Sequence, residues 1–433
     1  HITLEEYVGP KNQAYRLHEP FKAVLLQAAN PQALRQLCQA QLTQLQKAEG
    51  ESAFAQLVQA SKTVKLAAEQ ARIGFVVRSR QECQDYLTIA IRELATNHQA
   101  WNHPKGIYYR PLGIKPDTQK VAALFAGQGS QYVGMGKALA NAFPLVAQAF
   151  QAMDGLYESA GQQALSKSIF PIPVFSEEAR KSQQQTLTQT QYAQPAIGAL
   201  SIGQYKLLQQ AGFEAHFTAG HSFGELTALW AAGVYDEQTF MAMAKARGEA
   251  MALQRAGSDP GGMLAIKASQ EEVQQAIASL PGVSIANVNS QAQIIIAGGT
   301  AQIKAAESHL IAQGFSVIPL SVSAAFHTDY VKHAQQPFSD FVAKQRFQKP
   351  QIPVYSNTTG EAYPDEPGQL QSILAQQILR PVLFKQQIEN LYQAGARVFV
   401  EFGPKGVLSK LVNNILVDKE VVSLAINASD KKD

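Results

Sequence analysis

The sequence predicts an α/β protein. Its parts are a hydrolase-like parallel-sheet core, a ferredoxin-like subdomain inserted in that core, and a small α/β domain ahead of both. Three observations predict this. Strand-like and helix-like runs alternate from Val121 to about residue 425, the pattern of a parallel sheet wrapped by helices. The stretch 259–321 breaks that rhythm with the order strand, helix, strand, strand, helix, strand, which is the ferredoxin-like arrangement. The pentapeptide Gly220-His221-Ser222-Phe223-Gly224 lies between an apolar run, Phe213 to Ala219, and a helix-like run, Glu225 to Ala232. A G-x-S-x-G sequence at a strand-to-helix turn is a nucleophile elbow.

The elements follow in order. Residues 1–20 read as extended linker. Phe21 to Leu26 is a strand candidate, and Pro31 opens a helix with Leu34, Leu37, Leu42 and Leu45 at apolar spacing. A second strand, Ala71 to Val77, precedes a helix from Gln81 to Thr96, and a third strand covers Gly106 to Arg110. Two strand–helix units and a strand make a small α/β layer with no catalytic constellation. Pro111, Gly113 and Pro116 mark the linker that ends it. Val121 to Ala126 is a continuous apolar run, as expected of a strand buried on both faces. The Gln-rich stretch Ser182 to Gln194 reads as a loop leading into a helix. Within the insert, the strands are Gly261–Ile266, Val283–Val288, Gln293–Gly298 and Phe315–Leu320, with helices near 270–280 and 301–313. Asn427 to Asp433 is polar and charged, and reads as a disordered tail. The domain bounds are therefore 1–118 for the first domain, 119–258 with 322–425 for the core, 259–321 for the insert and 426–433 for the tail.

Composition narrows the function classes. The chain has 433 residues, 46% of them hydrophobic and 16% charged, which is ordinary for a globular protein of two or three domains. A net charge of +3 argues against a nucleic-acid footprint. No apolar run reaches the roughly 18 residues of a membrane span, and no signal peptide is visible. The two cysteines, Cys38 and Cys83, form neither a metal spacing nor a disulfide framework. They fit buried thiols in a reducing cytoplasm. The chain opens His1-Ile2-Thr3, which reads as a segment of a longer polypeptide.

The elbow carries the chemistry. Its serine, Ser222, projects from a tight turn, and the Phe223 N–H opens the following helix, where it can hold a developing oxyanion. The serine needs a base. Of nine histidines, His327 is singled out, because it follows Leu320 to Phe326 where the chain leaves the insert. His221 adjoins the nucleophile, but neighbouring side chains on a tight turn diverge. Asp329 is two residues from His327 and reads as structural or as a cap. The stretch Ala126-Gly127-Gln128-Gly129-Ser130-Gln131 follows the first core strand. Tyr132 spoils it as a dinucleotide fingerprint, but backbone amides there can face a ligand. Arg247, in the helix-like run Gln238 to Met251, presents a planar fork suited to a substrate carboxylate. No histidine spacing forms a metal ligand set.

Four separated blocks now resemble one family, the malonyl-CoA:acyl-carrier-protein transacylases and acyltransferase domains of fatty acid and polyketide synthases. They are Gly127 to Gln131, Gln194-Pro195-Ala196, Gly220 to Gly224 with Arg247, and Glu401-Phe402-Gly403-Pro404. Ala126 and Ala193 stand where the family carries Pro and Thr. Residues 20–110 resemble the linker domain between ketosynthase and acyltransferase, most like that of bacterial polyunsaturated fatty acid synthases. The resemblance implies a nucleophile at Ser222, a base at His327 and an oxyanion hole of the Gln128 and Phe223 amides. It implies Arg247 on the malonyl carboxylate, Gln194 in the substrate site, and a Gln377 main-chain carbonyl orienting the imidazole. Ala324-Ala325-Phe326-His327 is similar to the family's malonyl-selecting H-A-F-H, with Ala324 in place of the first His, so Phe326 bears on substrate choice. No bound cofactor is implied. The substrates would be malonyl-CoA and the phosphopantetheine arm of acyl carrier protein, with a flanking ketosynthase domain on the same polypeptide. A serine thioesterase or acyl hydrolase shares the elbow, as does an acyltransferase that loads acetyl or methylmalonyl. A module that only recruits carrier protein is a further alternative.

Overall fold

The computed structural model describes residues 21–115, 118–252, 259–320, 322 and 324–429. The expected linker at 1–20 therefore lies outside the described residues. The chain divides into two compact units, His1–Thr118 and Gln119–Asp433.

In the first unit, β1 (Lys22–Ala28), β2 (Ala71–Val77), β3 (Trp101–His103) and β4 (Ile107–Arg110) form an antiparallel sheet in the order β1-β2-β4-β3. Ile73, Phe75 and Val77 are buried at alternate positions along β2, the period of a strand with one face on a core. They join Leu34, Leu45, Leu87 and Leu94 from the helices Pro31–Leu45 and Arg80–Thr96. The first of these helices starts at Pro31 behind Asn30, whose side chain accepts the Ala33 N–H. A helix Gly50–Thr63 and the strand β3 escape the sequence reading. That helix buries only Leu57 and Val58 besides Gly50, so its apolar stripe is thin, and β3 has three residues, too few for alternation to register. Cys38 and Cys83 are free and buried, and burial pushes both thiols up to about 12.

In the second unit the strands are, in chain order, β5 (Lys120–Phe125), β6 (Phe217–Gly220), β7 (Gly262–Ile266), β8 (Val283–Ser290), β9 (Gln293–Gly298), β10 (Val317–Pro319), β11 (Val354–Tyr355), β12 (Ala396–Phe402) and β13 (Val422–Ala425). Five of them form a parallel sheet in the order β11-β6-β5-β12-β13. Ala122 to Phe125 are all inaccessible to solvent, as a strand covered on both faces requires. The order makes β5 and β6 neighbours at the centre, so the ends of both strands meet beside the elbow.

The insert folds as β7, helix Gln270–Ile277, β8, β9, helix Thr300–Ala312 and β10, with an antiparallel sheet in the order β10-β7-β9-β8. Both the element order and the sheet order are ferredoxin-like. The insert is also stitched back to the core. Val382 N–H donates to Ala286 O at 2.9 Å, and Val288 N–H donates to Val382 O at 2.8 Å.

Two expectations are corrected. The Gln-rich stretch is helical, ending the helix Glu177–Thr188 and opening Thr190–Gln210. Glutamine is a competent helix former, and Ser176 caps the first helix by accepting the Ala179 N–H. The tail is ordered where it starts. Asn427 is buried, and its Nδ2 donates to the Tyr132 hydroxyl at 2.7 Å. A partner 295 positions away leaves no local signal in the sequence.

Candidate active site

The elbow sits at the end of β6, ahead of the helix Gly224–Ala231. Ser222 has φ 51°, a left-handed backbone that non-glycine residues adopt only when the surroundings hold them there. Asn357, just past β11, does the holding. Its Oδ1 accepts the Ser222 N–H at 2.5 Å, and its Nδ2 donates to Gly220 O at 2.5 Å. Gly224 is required by close approach, since a Cβ there would run into the Phe125 carbonyl at the end of β5. Asn357→Ala would leave both backbone groups unpaired, at about 1–3 kcal/mol each. We expect a lower urea midpoint for that variant. An unchanged midpoint would mean the turn holds itself.

Ser222 Oγ lies 2.7 Å from His327 Nε2. His327 has φ 60° and is buried. Its Nδ1 faces two carbonyls, Arg380 O at 3.0 Å and Gln377 O at 3.2 Å. Two acceptors place the proton on Nδ1, which leaves Nε2 to accept from the serine hydroxyl. The Gln377 carbonyl was expected and the Arg380 carbonyl was not. The 3-10 turn Gln377–Leu379 brings both to the ring. Burial, then the nearby Arg247 and His221, hold the imidazole down at about 3, so it stays neutral.

Arg247 is fully buried in the helix Glu237–Ala252. Nη1 donates to Gln194 Oε1 at 2.8 Å, and Nη2 donates to Gln377 Oε1 at 3.0 Å. Its Nε has no partner among the described residues. Burial lowers the guanidinium to about 10, against the raising influence of Glu225. Gln194, from the helix Thr190–Gln210, passes the chain of contacts on, because its Nε2 donates to Gln128 Oε1 at 3.1 Å. Gln377 is the hub. Its Nε2 donates to Ser222 O at 2.8 Å and to Glu225 Oε2 at 3.0 Å. Ser222, His327, Arg247, Gln194, Gln128 and Gln377 thus meet in one hydrogen-bonded network.

The Gln128 and Phe223 N–H groups donate to no acceptor among the described residues. Gly127 lets the two segments meet, since a Cβ on it would strike the His221 carbonyl and lie 3.6 Å from Phe223 N. Phe326 is buried in the hydrophobic core that also holds Phe223 and Ala324, and takes no part in the polar network. His221 turns away from the serine, as a tight turn demands, and its Nε2 sits 2.8 Å from Asn289 Oδ1. Asp329 is exposed and is not the cap. Thr328 is, accepting the Tyr330 N–H. Glu401 has a structural task, for its carboxylate accepts the N–H groups of Val407, Leu408 and Ser409 at the start of the helix Leu408–Ile415.

Sequence reasoning missed Glu225, Asn357, Tyr363 and the Gln377 side chain. Glu225 is fully buried. Its Oε1 accepts the Asn357 N–H at 3.2 Å and the Tyr363 hydroxyl. Burial pushes this carboxyl up to about 7. Its position next to Gly224 in the elbow helix was the available signal. Asn357 had a second one, since sites gather beyond the carboxyl ends of parallel strands.

A parallel α/β core with this insert and this elbow defines a class of acyl-transferring enzymes. The match to known families agrees, for residues 123–430 fit the acyl transferase domain. The chain belongs to that family and is an acyltransferase. It is 33% identical over 454 residues to one component of the polyunsaturated fatty acid synthase of Thraustochytrium sp., an alignment that covers 100% of this chain and 16% of that protein. It is 33% identical over 309 residues to a polyketide-biosynthesis malonyl CoA-acyl carrier protein transacylase of Bacillus subtilis, covering 70% of this chain and 99% of that one. The crystal structure of an acyl carrier protein S-malonyltransferase from Vibrio cholerae superposes with a TM-score of 0.63 at 31% identity, over 72% of this chain and 98% of that chain. The chain therefore spans about a sixth of the synthase protein and nearly the whole of the stand-alone enzymes. Among the described residues no helix is long and apolar enough to cross a membrane.

Proposed function

We propose that the chain moves a malonyl group from malonyl-CoA to the phosphopantetheine thiol of an acyl carrier protein, through an ester on Ser222. The observation that carries this reading is Arg247. A buried guanidinium whose direct partners are two neutral amides, with its Nε unpartnered, has donors to offer an incoming anion. A carboxylate on the acyl group is the natural complement. Gln377 touches both this guanidinium and the nucleophile's own carbonyl, which ties the guanidinium to the nucleophile.

The malonyl carboxylate binds Arg247. His327 Nε2 takes the Ser222 proton as Oγ attacks the thioester carbonyl. The oxyanion rests on the free Gln128 and Phe223 amides, each worth about 2.7–4 kcal/mol of barrier. The C–S bond breaks, and the imidazolium returns its proton to the CoA thiolate. The carrier thiol then repeats the sequence in reverse, giving ping-pong kinetics. The named relatives in Bacillus subtilis and Vibrio cholerae are malonyl transferases by description, and they support the acyl choice. The first unit we read as a linker domain that sets the spacing to a flanking ketosynthase domain. In its support, the Thraustochytrium synthase component aligns over the whole chain, so a counterpart of the first unit accompanies the acyltransferase unit there.

Intact-protein mass spectrometry tests the reading. Brief exposure to a mixture of acetyl-, malonyl- and methylmalonyl-CoA should leave a malonyl adduct on Ser222. Adding phosphopantetheinylated carrier protein should move it there. Release of free malonate instead would mark a hydrolase. Phe326→Ser should raise the methylmalonyl-to-malonyl loading ratio by about 10- to 100-fold, because one methyl in a pocket is worth about 1–3 kcal/mol. An unaltered ratio would remove the steric role of the ring.

A further inference from the structure

We propose that Glu225 is the resident counter-charge of the acyl pocket, and that it takes up one proton from solvent when a malonyl carboxylate docks on Arg247. The inference rests on the reading of Arg247 as the carboxylate site and goes beyond it, because Glu225 touches no substrate. It is a positioning residue that acts through Gln377 and Arg247.

The geometry argues this in three steps. First, Arg247 and Glu225 are both fully buried, and Glu225 is the acidic group whose charge acts on Arg247. They do not touch. The Gln377 amide lies between them, accepting from Arg247 through Oε1 and donating to Glu225 through Nε2. The pair leaves the empty pocket neutral. Second, a malonyl carboxylate brings a second negative charge into the same dry volume. An uncompensated charge there is costly, and the usual response is that one group changes its protonation state. Third, a proton on Glu225 has somewhere to go. Tyr363 donates its hydroxyl hydrogen to Glu225 Oε1, and it also contacts Ser356. A hydroxyl both donates and accepts, so Tyr363 can turn its hydrogen toward Ser356 and accept from the protonated carboxyl.

The titratable and charged groups around Glu225 come from every element packed on it. Arg247 lies in the helix Glu237–Ala252, Tyr235 just ahead of that helix, and Tyr363 beyond β11. His327 reaches the same network through its contact with the Gln377 carbonyl, and His221 acts on His327. The tyrosines are pushed well above their ordinary range by burial and stay neutral. Burial also disfavours the charged forms of His327 and His221. Glu225, poised at about 7, is the group within reach of a proton at neutral pH. The balanced loading step then reads: malonyl-CoA, Ser222–OH and one solvent proton give malonyl-Ser222, CoA thiol and protonated Glu225.

The test uses the wild-type chain first. A pH-indicator dye is mixed with enzyme and malonyl-CoA in weak buffer at pH 8, and the proton change is divided by the ester formed, read by mass spectrometry. The expected result is close to one more proton taken up per malonyl group than per acetyl group from acetyl-CoA. The loading equilibrium for malonyl should fall by up to tenfold per pH unit from pH 7 to 9, relative to acetyl. The released CoA thiol titrates alike in both arms and cancels. Glu225→Gln should flatten that difference and tighten malonyl retention at pH 8 by about tenfold, the value of one pH unit of linkage. Equal proton uptake with both acyl groups overturns the proposal, as does uptake that persists unchanged in Glu225→Gln, which would assign the proton to His327. Failure of the underlying reading looks different: Arg247→Ala would then load malonyl as the wild type does, whatever Glu225 did.

Discussion

His327→Ala is expected to slow acyl loading of Ser222 by about 10⁶-fold, the loss seen when either partner of a serine–histidine pair is removed from a serine hydrolase. The 2.7 Å contact between Ser222 Oγ and His327 Nε2 is the only route for the hydroxyl proton among the described side chains, and Nδ1 is committed to two carbonyls. A rapid-quench time course with malonyl-CoA reads the loss. A drop of only tenfold would mean another group takes the proton. The pH profile adds a second readout. An imidazole held at about 3 stays a free base through mildly acid pH. The acid limb of kcat/KM, which reports the free enzyme, should therefore lie well below the usual histidine value near 6.5. A limb centred on 6.5 would contradict the burial of His327 in the working enzyme.

Arg247→Ala should lower malonyl loading by about 10²- to 10⁴-fold, while acetyl loading is spared or rises. Breaking a buried charge pair by removing one partner costs about 3–5 kcal/mol, and each 1.4 kcal/mol is a factor of ten. In this variant an incoming malonyl carboxylate would meet the buried Glu225 carboxylate with no cation beside it. An acetyl group brings no charge and meets only extra space. Competition between malonyl-CoA and acetyl-CoA, scored by the mass of the Ser222 adduct, measures both effects at once. A malonyl preference that survives the substitution would place carboxylate recognition elsewhere.

Much of this was legible in the chain. The G-x-S-x-G elbow showed itself because its glycines have a local steric cause, with Gly224 pressed against the Phe125 carbonyl. The ferredoxin-like insert was readable from element order alone, because β7, β8, β9 and both helices have enough residues to display a period. Ser222, His327, Arg247, Gln194 and Gln128 were all singled out, and the fold brings them into one network. The Gly50–Thr63 helix, β3 and the helical Gln-rich stretch were lost where apolar periodicity was short or absent. Asn357, Tyr363 and the Gln377 side chain were lost for another reason. Each works through a contact more than 100 positions away along the chain, and no local pattern encodes such a distance.

Sequence alone, then, determined which groups could do chemistry here: a hydroxyl on a tight turn, a histidine where the chain leaves the insert, and an arginine with a planar fork. Tertiary structure decided what state those groups are in. Burial keeps His327 neutral, raises Glu225 into the neutral range and strips Arg247 of water. Protonation depends on the local dielectric and on charges brought near by folding, and neither is a property of a residue's neighbours in the chain.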